Sequence, residues 1–397
     1  MKNMIYKNNI LYSKFVLFVL MLLYFFQVNI AQAVGLETRV FNYILILLYL
    51  YFFVCFRPKF CQYKDEYYIL FVSLLLLISR YIMGMFEETF QTLLNLMMPA
   101  LLLMIIRANG FQRSNLQIKS FLVSYFLVNC LIAIFEFIIS GHLIGWHDRA
   151  YSDGELVSYV GSSDFRSVAL SGSPLSNALN VTILSAFFLF SNFSEKKKLY
   201  LFFVGLIAVL CFNARSAFVV DVIVFIFFII KNFKKYRIGK KIAVLFGVLI
   251  SSIFILYLLY NTNIGSRLMS TTSDDGSINV RLILFEKISN FNYQELLWGD
   301  TLENVRWLMD SMGVVVIENF WIAYILHFGI IAVIVFTLLY IKLILKLFKN
   351  YPLYDKLVLS LCFIVLASIN NSLYSSYIPL FSFLMCAFIF RPSSSNR

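Results

Sequence analysis

The sequence predicts an all-α, polytopic membrane protein, and three observations support that prediction. Of the 397 residues, 61% are hydrophobic and 14% are charged, and the mean hydropathy is +0.82. One soluble core cannot bury apolar segments in that proportion. A transmembrane helix needs roughly 20 mainly apolar residues to cross the hydrocarbon layer, and the chain offers about twelve such stretches. They lie near residues 11–29, 38–56, 67–83, 91–106, 118–140, 174–193, 199–212, 215–232, 242–260, 316–347, 355–370 and 376–391.

The basic residues are sorted by type between the two sides of these stretches. With both termini in the cytoplasm, eighteen of the nineteen lysines fall on the inner side, and eight of the nine outer basic residues are arginines. Every inner loop then carries two or more basic residues, as the positive-inside rule requires. We therefore predict a multi-pass protein with both ends cytoplasmic. The net charge of +12 is then a topology signal, and no nucleic-acid partner is expected.

The chain is predicted to be a single membrane domain, residues 1–397, because no internal repeat relates its two halves. Its asymmetry lies in two long outer loops, 141–173 and 261–315. Loops of that length usually carry function or lack structure. Within the second loop, residues 278–288 show a helical period of apolar positions. Near the N-terminus, Ala31-Gln32-Ala33 is similar to a signal cleavage site, but the apolar run before it is long enough to favour an uncleaved first helix.

Several kinds of chemistry have no support in the sequence. The six cysteines show no paired spacing and no histidine partners, which disfavours a disulfide framework or a metal site. No phosphate-binding loop, dinucleotide turn, nucleophile elbow or His-Glu-x-x-His pattern is present. An Asp-x-Asp pair, which would hold a metal for a nucleotide sugar, is also absent. We therefore expect no metal and no cofactor, and we disfavour a nucleotide-dependent enzyme with a cytoplasmic site.

The outer arginines are the first candidates for binding. A guanidinium stays charged and donates two parallel hydrogen bonds, which suits it to a carboxylate or a phosphate. Arg166, Arg215 and Arg281 each lie beside the start or end of a predicted span or helix, where a lipid head group would lie. They point to an anionic phosphate or pyrophosphate ligand, whereas pairing with outer acids is the simpler alternative. Four other outer arginines, Arg39, Arg80, Arg149 and Arg306, are interpreted as ordinary surface charges.

Glu318 and Asn319 form the second candidate group, where the second outer loop enters the tenth span. A partly desolvated carboxylate at that depth is suited to accept a proton from a sugar hydroxyl. The alternative is an acid that is stabilised by the helix dipole. Asn319 is expected either to orient a hydroxyl or to cap the helix.

Three further polar residues lie within predicted spans. Glu136 and Asp221 are ionisable groups inside apolar stretches, which makes each a functional candidate by default, with pairing between helices as the equal alternative. His327 lies well inside a predicted helix and is interpreted as a packing or hydrogen-bonding residue.

At this point the layout resembles the O-antigen polymerase (Wzy) and O-antigen ligase superfamily of integral membrane glycosyltransferases. The resemblance covers residues 160–335, where the order and spacing of short motifs match, while the first 140 residues match only as generic spans. The motifs are Phe165-Arg166 with Ser171-Gly172-Ser173-Pro174, Asn213-Ala214-Arg215-Ser216, Arg281, Trp298-Gly299-Asp300, and Glu318-Asn319-Phe320-Trp321 with Gly329 eleven residues after Glu318.

The resemblance implies a bacterial inner-membrane enzyme whose two long loops are periplasmic. Its donor would be an undecaprenyl pyrophosphate-linked oligosaccharide held in membrane lipid, its acceptor a sugar hydroxyl, and a chain-length regulator would be a further partner. Arg166, Arg215 and Arg281 would hold the pyrophosphate and stabilise it as it leaves, without a metal, with Arg267 as a weaker match. Glu318 would be the general base, standing where ligases have a His-Asn pair. That departure favours polymerase over ligase.

Three rival functions remain open from the sequence. A ligase would pass finished polymer to a lipid core, but Glu318 in place of histidine disfavours it. A flippase for the same lipid-linked sugars should show repeated halves and a charged central cavity, whereas this chain concentrates its outer charge in two unequal loops. A scaffolding protein would have no use for long loops that carry arginines.

Overall fold

The fold is a bundle of α-helices. The computed structural model describes residues 2–25, 38–56, 58–82, 86–108, 112–143, 151–152, 155–156, 165–233, 236–239, 241–242, 246–247, 253, 256–257, 292–311, 317, 319–369 and 372–392. Two strands of two residues each, β1 (Tyr151–Ser152) and β2 (Glu155–Leu156), pair antiparallel in the first predicted loop. Single turns of 3-10 helix cover Phe60–Gln62 and Phe348–Asn350.

The helices of the described residues, in chain order, are α1 (Lys2–Phe25), α2 (Thr38–Phe56), α3 (Lys64–Ile82), α4 (Phe86–Ala108), α5 (Gln112–Ile139), α6 (Pro174–Phe190), α7 (Glu195–Cys211), α8 (Arg215–Phe233), α9 (Tyr293–Trp298), α10 (Leu302–Ser311), α11 (Phe320–Phe328), α12 (Ile330–Leu347), α13 (Leu353–Ile369), α14 (Ser372–Ser375) and α15 (Ile378–Ile389). The prediction of an all-helical chain is confirmed to that extent.

Helix α6 lies at the centre of the bundle. Every residue from Asn177 to Phe190 is buried, and the helix packs against α7, α8, α13 and α15. A helix that is buried on all of its sides by other helices lies in the core of the fold. Its position follows from a clear start signal, because the Ser173 side chain accepts a hydrogen bond from the Ser176 backbone N–H and Pro174 opens the first turn.

Ion pairs identify one end of the bundle. Arg107 at the end of α4 pairs with Glu66 at the start of α3, and Lys231 near the end of α8 pairs with Asp355 at the start of α13. Lys346, in the last turn of α12, lies 2.7 Å from Asp65. We call this end the lysine end. The opposite end carries Arg80 in the last turn of α3 and Arg215 at the start of α8, and we call it the arginine end.

Several helices are apolar enough for a membrane. Three stretches of the described residues are also long enough to cross one, Asn115–Ile139 within α5, Arg215–Phe233, and Ile330–Asn350 from the start of α12. Shorter apolar helices lie at Tyr12–Phe25, Thr92–Ala108, Pro174–Phe190 and Ile378–Ile389. The chain is therefore a helical membrane protein by composition and helix length. The number of crossings stays a prediction, and most of the expected span 242–260 lies outside the described residues.

The expected tenth span, 316–347, is wrong as one continuous helix. Gly329 adopts a φ of +83°, a left-handed conformation that interrupts an α-helix, and it separates α11 from α12. Helices α11 and α12 follow each other directly across Gly329 and are in contact. Glycine adopts this left-handed conformation readily because it has no Cβ atom. The sequence did not predict the division, because apolar residues continue on both sides of Gly329.

Candidate functional site

A short connection between α7 and α8 presents Arg215 at the arginine end, as the sequence predicted. The connection is Phe212–Ala214, and the Asn213 backbone N–H donates to Leu210 O at 2.9 Å. Asn213 is buried and has a φ of +53°, a conformation that asparagine tolerates better than most residues. Arg215 then begins α8 half-buried. We call residues 211–215 the α7–α8 turn.

The last part of the first predicted loop packs onto this turn. The Ser167 backbone N–H donates to Cys211 O at 3.2 Å, and the Arg166 guanidinium Nη2 donates to Asn213 O at 3.3 Å. The Ser167 hydroxyl also donates to Ala133 O in α5 at 2.6 Å. Two arginines that are 49 positions apart in the sequence are therefore brought to one turn. A main-chain carbonyl thereby orients the Arg166 side chain at this turn.

Glu136 holds that loop segment in place. Its carboxylate is fully buried and accepts hydrogen bonds from the backbone N–H groups of Val168 and Ala169, both at 2.9 Å. It also accepts one from Leu143 N at 3.2 Å. The sequence gave Glu136 two equal interpretations, and the structure shows a third, an anchor for the loop backbone. Glu136 already occupies these backbone donors, so they are not open to another anion.

Buried amides extend the anchor. The Asn129 side chain in α5 accepts from Leu170 N at 3.2 Å and donates to the Asn177 side chain at 3.1 Å. Asn177 in turn donates to Val168 O. A buried network in which the polar groups find partners is rigid. The loop segment 165–170 is therefore fixed from α5 and α6 together.

A second assembly at the arginine end joins two of the motifs that carried the resemblance. Gly299, after α9, has a φ of +81° and lies against Gly329. A Cβ on Gly299 would lie 2.6 Å from His327 O and 2.7 Å from Gly329 N, closer than side chains pack. The Asp300 N–H donates to Leu326 O at 2.8 Å. We call this the glycine contact.

Arg80 closes the glycine contact from α3, and its interpretation as an ordinary surface charge was wrong. Only 2% of Arg80 is exposed. Its Nη2 donates to Trp298 O and, at 2.7 Å, to His327 O. A buried guanidinium is stable only where acceptors replace its water. Two carbonyls from separate segments supply them here.

Asn319 caps α11, which is one of the two roles that the sequence allowed. Its side-chain oxygen accepts from Trp321 N at 3.0 Å and from Ile322 N at 3.3 Å. His327 is buried, with its ring 4.6 Å from that of Phe328, in agreement with a packing role. Neither of its ring nitrogens has a hydrogen-bond partner among the described residues.

Asp221 pairs two helices. Its carboxyl is fully buried in α8 and accepts a hydrogen bond from the Thr182 hydroxyl in α6 at 3.0 Å. This agrees with the inter-helix alternative for that residue.

The structure therefore accounts for part of the predicted site. It brings Arg166 and Arg215 together and places Asn319 at the start of α11. The other three candidates, Glu318, Arg267 and Arg281, lie outside the described residues. Across the described part of the chain, no group of three or more His, Cys, Asp or Glu is placed to hold a metal ion.

Comparison with known proteins adds no family. No family model matches the chain, and no curated protein matches it. What the fold and the site define is a helical membrane protein with two arginines presented at one turn.

Proposed function

We propose that the chain is a polymerase of bacterial surface polysaccharide, of O-antigen or capsule type. It would transfer a growing glycan from undecaprenyl pyrophosphate to a sugar hydroxyl of the next lipid-linked repeat unit. The observation that carries this proposal is the meeting of Arg166 and Arg215 at the α7–α8 turn. A pyrophosphate is the ligand class that suits two guanidiniums beside a span.

The proposed topology has about twelve spans, with the lysine end in the cytoplasm of a bacterial cell and the arginine end in the periplasm. Helix α1 begins and α15 ends at the lysine end, since Tyr12 bonds to Ile105 O and Lys119 lies over the Phe390 ring. Both termini would then be cytoplasmic. Residues 141–173 and 261–315 would form periplasmic loops, where lipid-linked donor and acceptor would meet.

In the proposed reaction the acceptor hydroxyl oxygen attacks the anomeric carbon of the donor glycan. A new glycosidic C–O bond forms and the C–O bond to pyrophosphate breaks, so undecaprenyl pyrophosphate leaves with the bonding electrons. The hydroxyl proton passes to Glu318, the proposed general base. Arg166, Arg215 and Arg281 would stabilise the charge that develops on the leaving group, as oriented donors do in other enzymes. Arg267 and Asn319 would bind substrate.

The energetics need no metal, nucleotide or other cofactor. The pyrophosphate linkage is an activated leaving group, so the donor itself supplies the driving force at a face that has no ATP. Positioning and charge stabilisation are then the contributions left to the protein. Glu136 and Ser167 serve the first of these because they hold Arg166 against the α7–α8 turn.

The test supplies the purified protein in liposomes with a lipid-linked repeat unit and looks for a ladder of products on a gel. We expect the Arg166→Ala, Arg215→Ala and Arg281→Ala variants each to lower chain growth about 100-fold or more, while Glu318→Gln abolishes it. Arg237→Ala is the control, because Arg237 is an exposed arginine that follows α8 at the lysine end, away from the proposed site. Its ladder should equal that of the unchanged protein.

The rival functions give different products in the same assay. A single transfer of polymer to a core lipid would identify a ligase, and movement of the repeat unit between leaflets without new bonds would identify a flippase. A full ladder from Glu318→Gln would show that Glu318 is not the general base. A full ladder from the Arg166→Ala and Arg215→Ala double variant would show that these two arginines do not form the pyrophosphate site.

A further inference from the structure

Helix α10 has two faces of opposite character. Val305 and Leu308 are buried, 7% and 3% exposed, and pack with Ile322, Ala323 and Leu326 of α11. The opposite stripe consists of Glu303, Arg306, Trp307 and Asp310, all of them exposed. Their spacing of three, one and three residues puts the four side chains on one surface of the helix. We call this set the α10 stripe.

The helix that carries the stripe is firmly held. The Asp300 carboxylate accepts from Thr301 N at 2.6 Å and from the Asn304 side chain at 2.9 Å, and the Thr301 hydroxyl accepts from Asn304 N at 3.2 Å. These bonds cap the start of α10 one residue after the glycine contact. A surface on a rigid helix binds with a smaller entropy loss than one on a free loop.

Trp307 is the aromatic member of the stripe. It is 71% exposed, so its ring is open to a ligand. An indole offers a flat apolar face and one N–H donor. A pyranose ring presents matching chemistry, with C–H groups on its face and hydroxyls around its edge. The carboxylates of Glu303 and Asp310 and the guanidinium of Arg306 supply acceptors and donors for those hydroxyls.

A membrane surface fits the stripe less well than a glycan does. An interfacial helix buries an apolar face among lipids and carries lysine or arginine on its polar face. The apolar face of α10 is already covered by α11, and the stripe holds two acids to one arginine. Anionic lipid head groups would repel that balance of charge.

We infer that the α10 stripe binds a carbohydrate chain, with Trp307 stacked on a sugar ring and the three charged side chains bonded to its hydroxyls. The binding itself stands on the geometry of α10. The further assignment, that this chain is the glycan being extended, rests on the proposed function.

The experiment measures binding of dye-labelled fragments of the surface polysaccharide that the source cell makes to the full protein in nanodiscs. We expect Trp307→Ala to weaken binding about tenfold or more, as the loss of a central aromatic contact does elsewhere, and Trp307→Phe to retain part of it. Tyr293→Ala is the matched control, because Tyr293 is an exposed aromatic residue in the same segment, 83% exposed and off the stripe. Its affinity should not change.

Three results would overturn the inference. One is equal affinity in the Trp307→Ala variant with the melting temperature unchanged. Another is an equal loss in Tyr293→Ala. The third is quenching of the Trp307 fluorescence by brominated lipids, which would place the ring in the membrane interface. The Trp307 signal is the difference in fluorescence between the unchanged protein and Trp307→Phe.

The outcome is separable from that of the proposed function. If glycan binding depends on Trp307 but no product ladder forms, the α10 stripe is a glycan site and the proposed polymerase function is wrong. If a full ladder forms but binding does not depend on Trp307, the polymerase function is supported and the proposed role of the stripe is wrong. Under both proposals together, Trp307→Ala should raise the concentration of the donor, which carries the growing glycan, needed for half-maximal chain growth, with little change at saturation.

Discussion

The two ends of the bundle hold their cations in different ways. At the lysine end, Arg107, Lys231 and Lys346 pair with carboxylate side chains. At the arginine end, Arg80 and Arg166 donate to main-chain carbonyls. A carboxylate partner neutralises a cation, whereas a main-chain carbonyl orients it. The first arrangement is that of a structural ion pair, and the second fixes a guanidinium to the backbone that it contacts.

The backbone differs between the two ends as well. Every described residue with a positive φ lies at the arginine end, in connections or loop segments that end or begin helices. They are Ser140, Ala169, Gly172, Asn213, Gly299 and Gly329. Sparsely populated conformations persist only where the surrounding structure enforces them, and they concentrate at functional sites. Main-chain contacts therefore stabilise the arginine end, whereas pairs of charged side chains stabilise the lysine end. Different substitutions should destabilise the two ends.

The largest effect is expected from Gly329→Ala at the arginine end. A Cβ there would lie 2.7 Å from Gly299 N, in a residue whose φ is +83°. The neighbouring atoms are backbone and cannot move aside, so we expect a loss of about 4 kcal/mol or more, in the range of the most damaging single substitutions. The measurement is the yield of monodisperse protein in detergent and its melting temperature.

Gly239→Ala supplies the control for that substitution, because a Cβ at Gly239 meets nothing within 4 Å. Its melting temperature should stay within the scatter of the unchanged protein. Normal yield and stability for Gly329→Ala would show that the glycine contact can accommodate a Cβ atom. The claim that close main-chain contacts stabilise the arginine end would then be wrong.

A smaller effect is expected from Arg107→Met at the lysine end. Glu66 is fully buried, and removing its partner leaves an uncompensated carboxylate, which costs about 3–5 kcal/mol elsewhere. Replacing both partners, as Arg107→Met with Glu66→Met, should recover most of that loss. Lys342→Met breaks the pair of an exposed lysine with Asp65 but leaves Lys346 as a partner of that carboxylate, so it should cost about 1 kcal/mol or less. Thermal unfolding in detergent measures all three.

A direct comparison of the two ends measures the stability and the chain growth of Arg166→Met and of Arg107→Met. Arg166 is half-buried and donates to the Asn213 carbonyl, so loss of this charged hydrogen bond should cost about 1.5–3 kcal/mol of stability, while chain growth falls with the proposed pyrophosphate site. Arg107→Met should show the reverse, with less folded protein and unchanged activity for each folded molecule. Equal losses of stability in the two variants would contradict the division between the ends.

Much of the fold could be predicted because its signals are local. The apolar stretches are a property of composition, and helices lie in most of them within the described part of the chain. The number of crossings and the side on which each basic residue lies stay predictions. The break at Gly329 could not be predicted in the same way, since apolar residues continue on both sides of it. Its conformation is enforced by Gly299, which is 30 positions earlier in the chain and meets it only in the folded protein.

The site shows the same limit. Arg215 was identified from a short connection, but its meeting with Arg166 depends on Glu136, which bonds to residues more than 30 positions away. An acid inside an apolar stretch was the signal available, and it marked Glu136 without revealing its partners. Arg80 was missed because a count of charges on each side treats a buried arginine and an exposed one alike. The roles of Glu318, Arg267 and Arg281 stay predictions.

The smallest effect on stability is expected from substitutions of Asn319. They distinguish two roles of this residue, as a helix cap alone or as a cap that also binds substrate. Asn319→Ala removes the cap of α11 and should cost about 1 kcal/mol, whereas Asn319→Ser keeps a side-chain oxygen that accepts from Trp321 N and Ile322 N. If Asn319 acts only as a cap, the serine variant keeps both its melting temperature and its product ladder. If it also binds substrate, as proposed, the serine variant keeps its stability and loses chain growth. The second result would show that a main-chain contact at this end also serves the reaction, and the first would remove Asn319 from the proposed site.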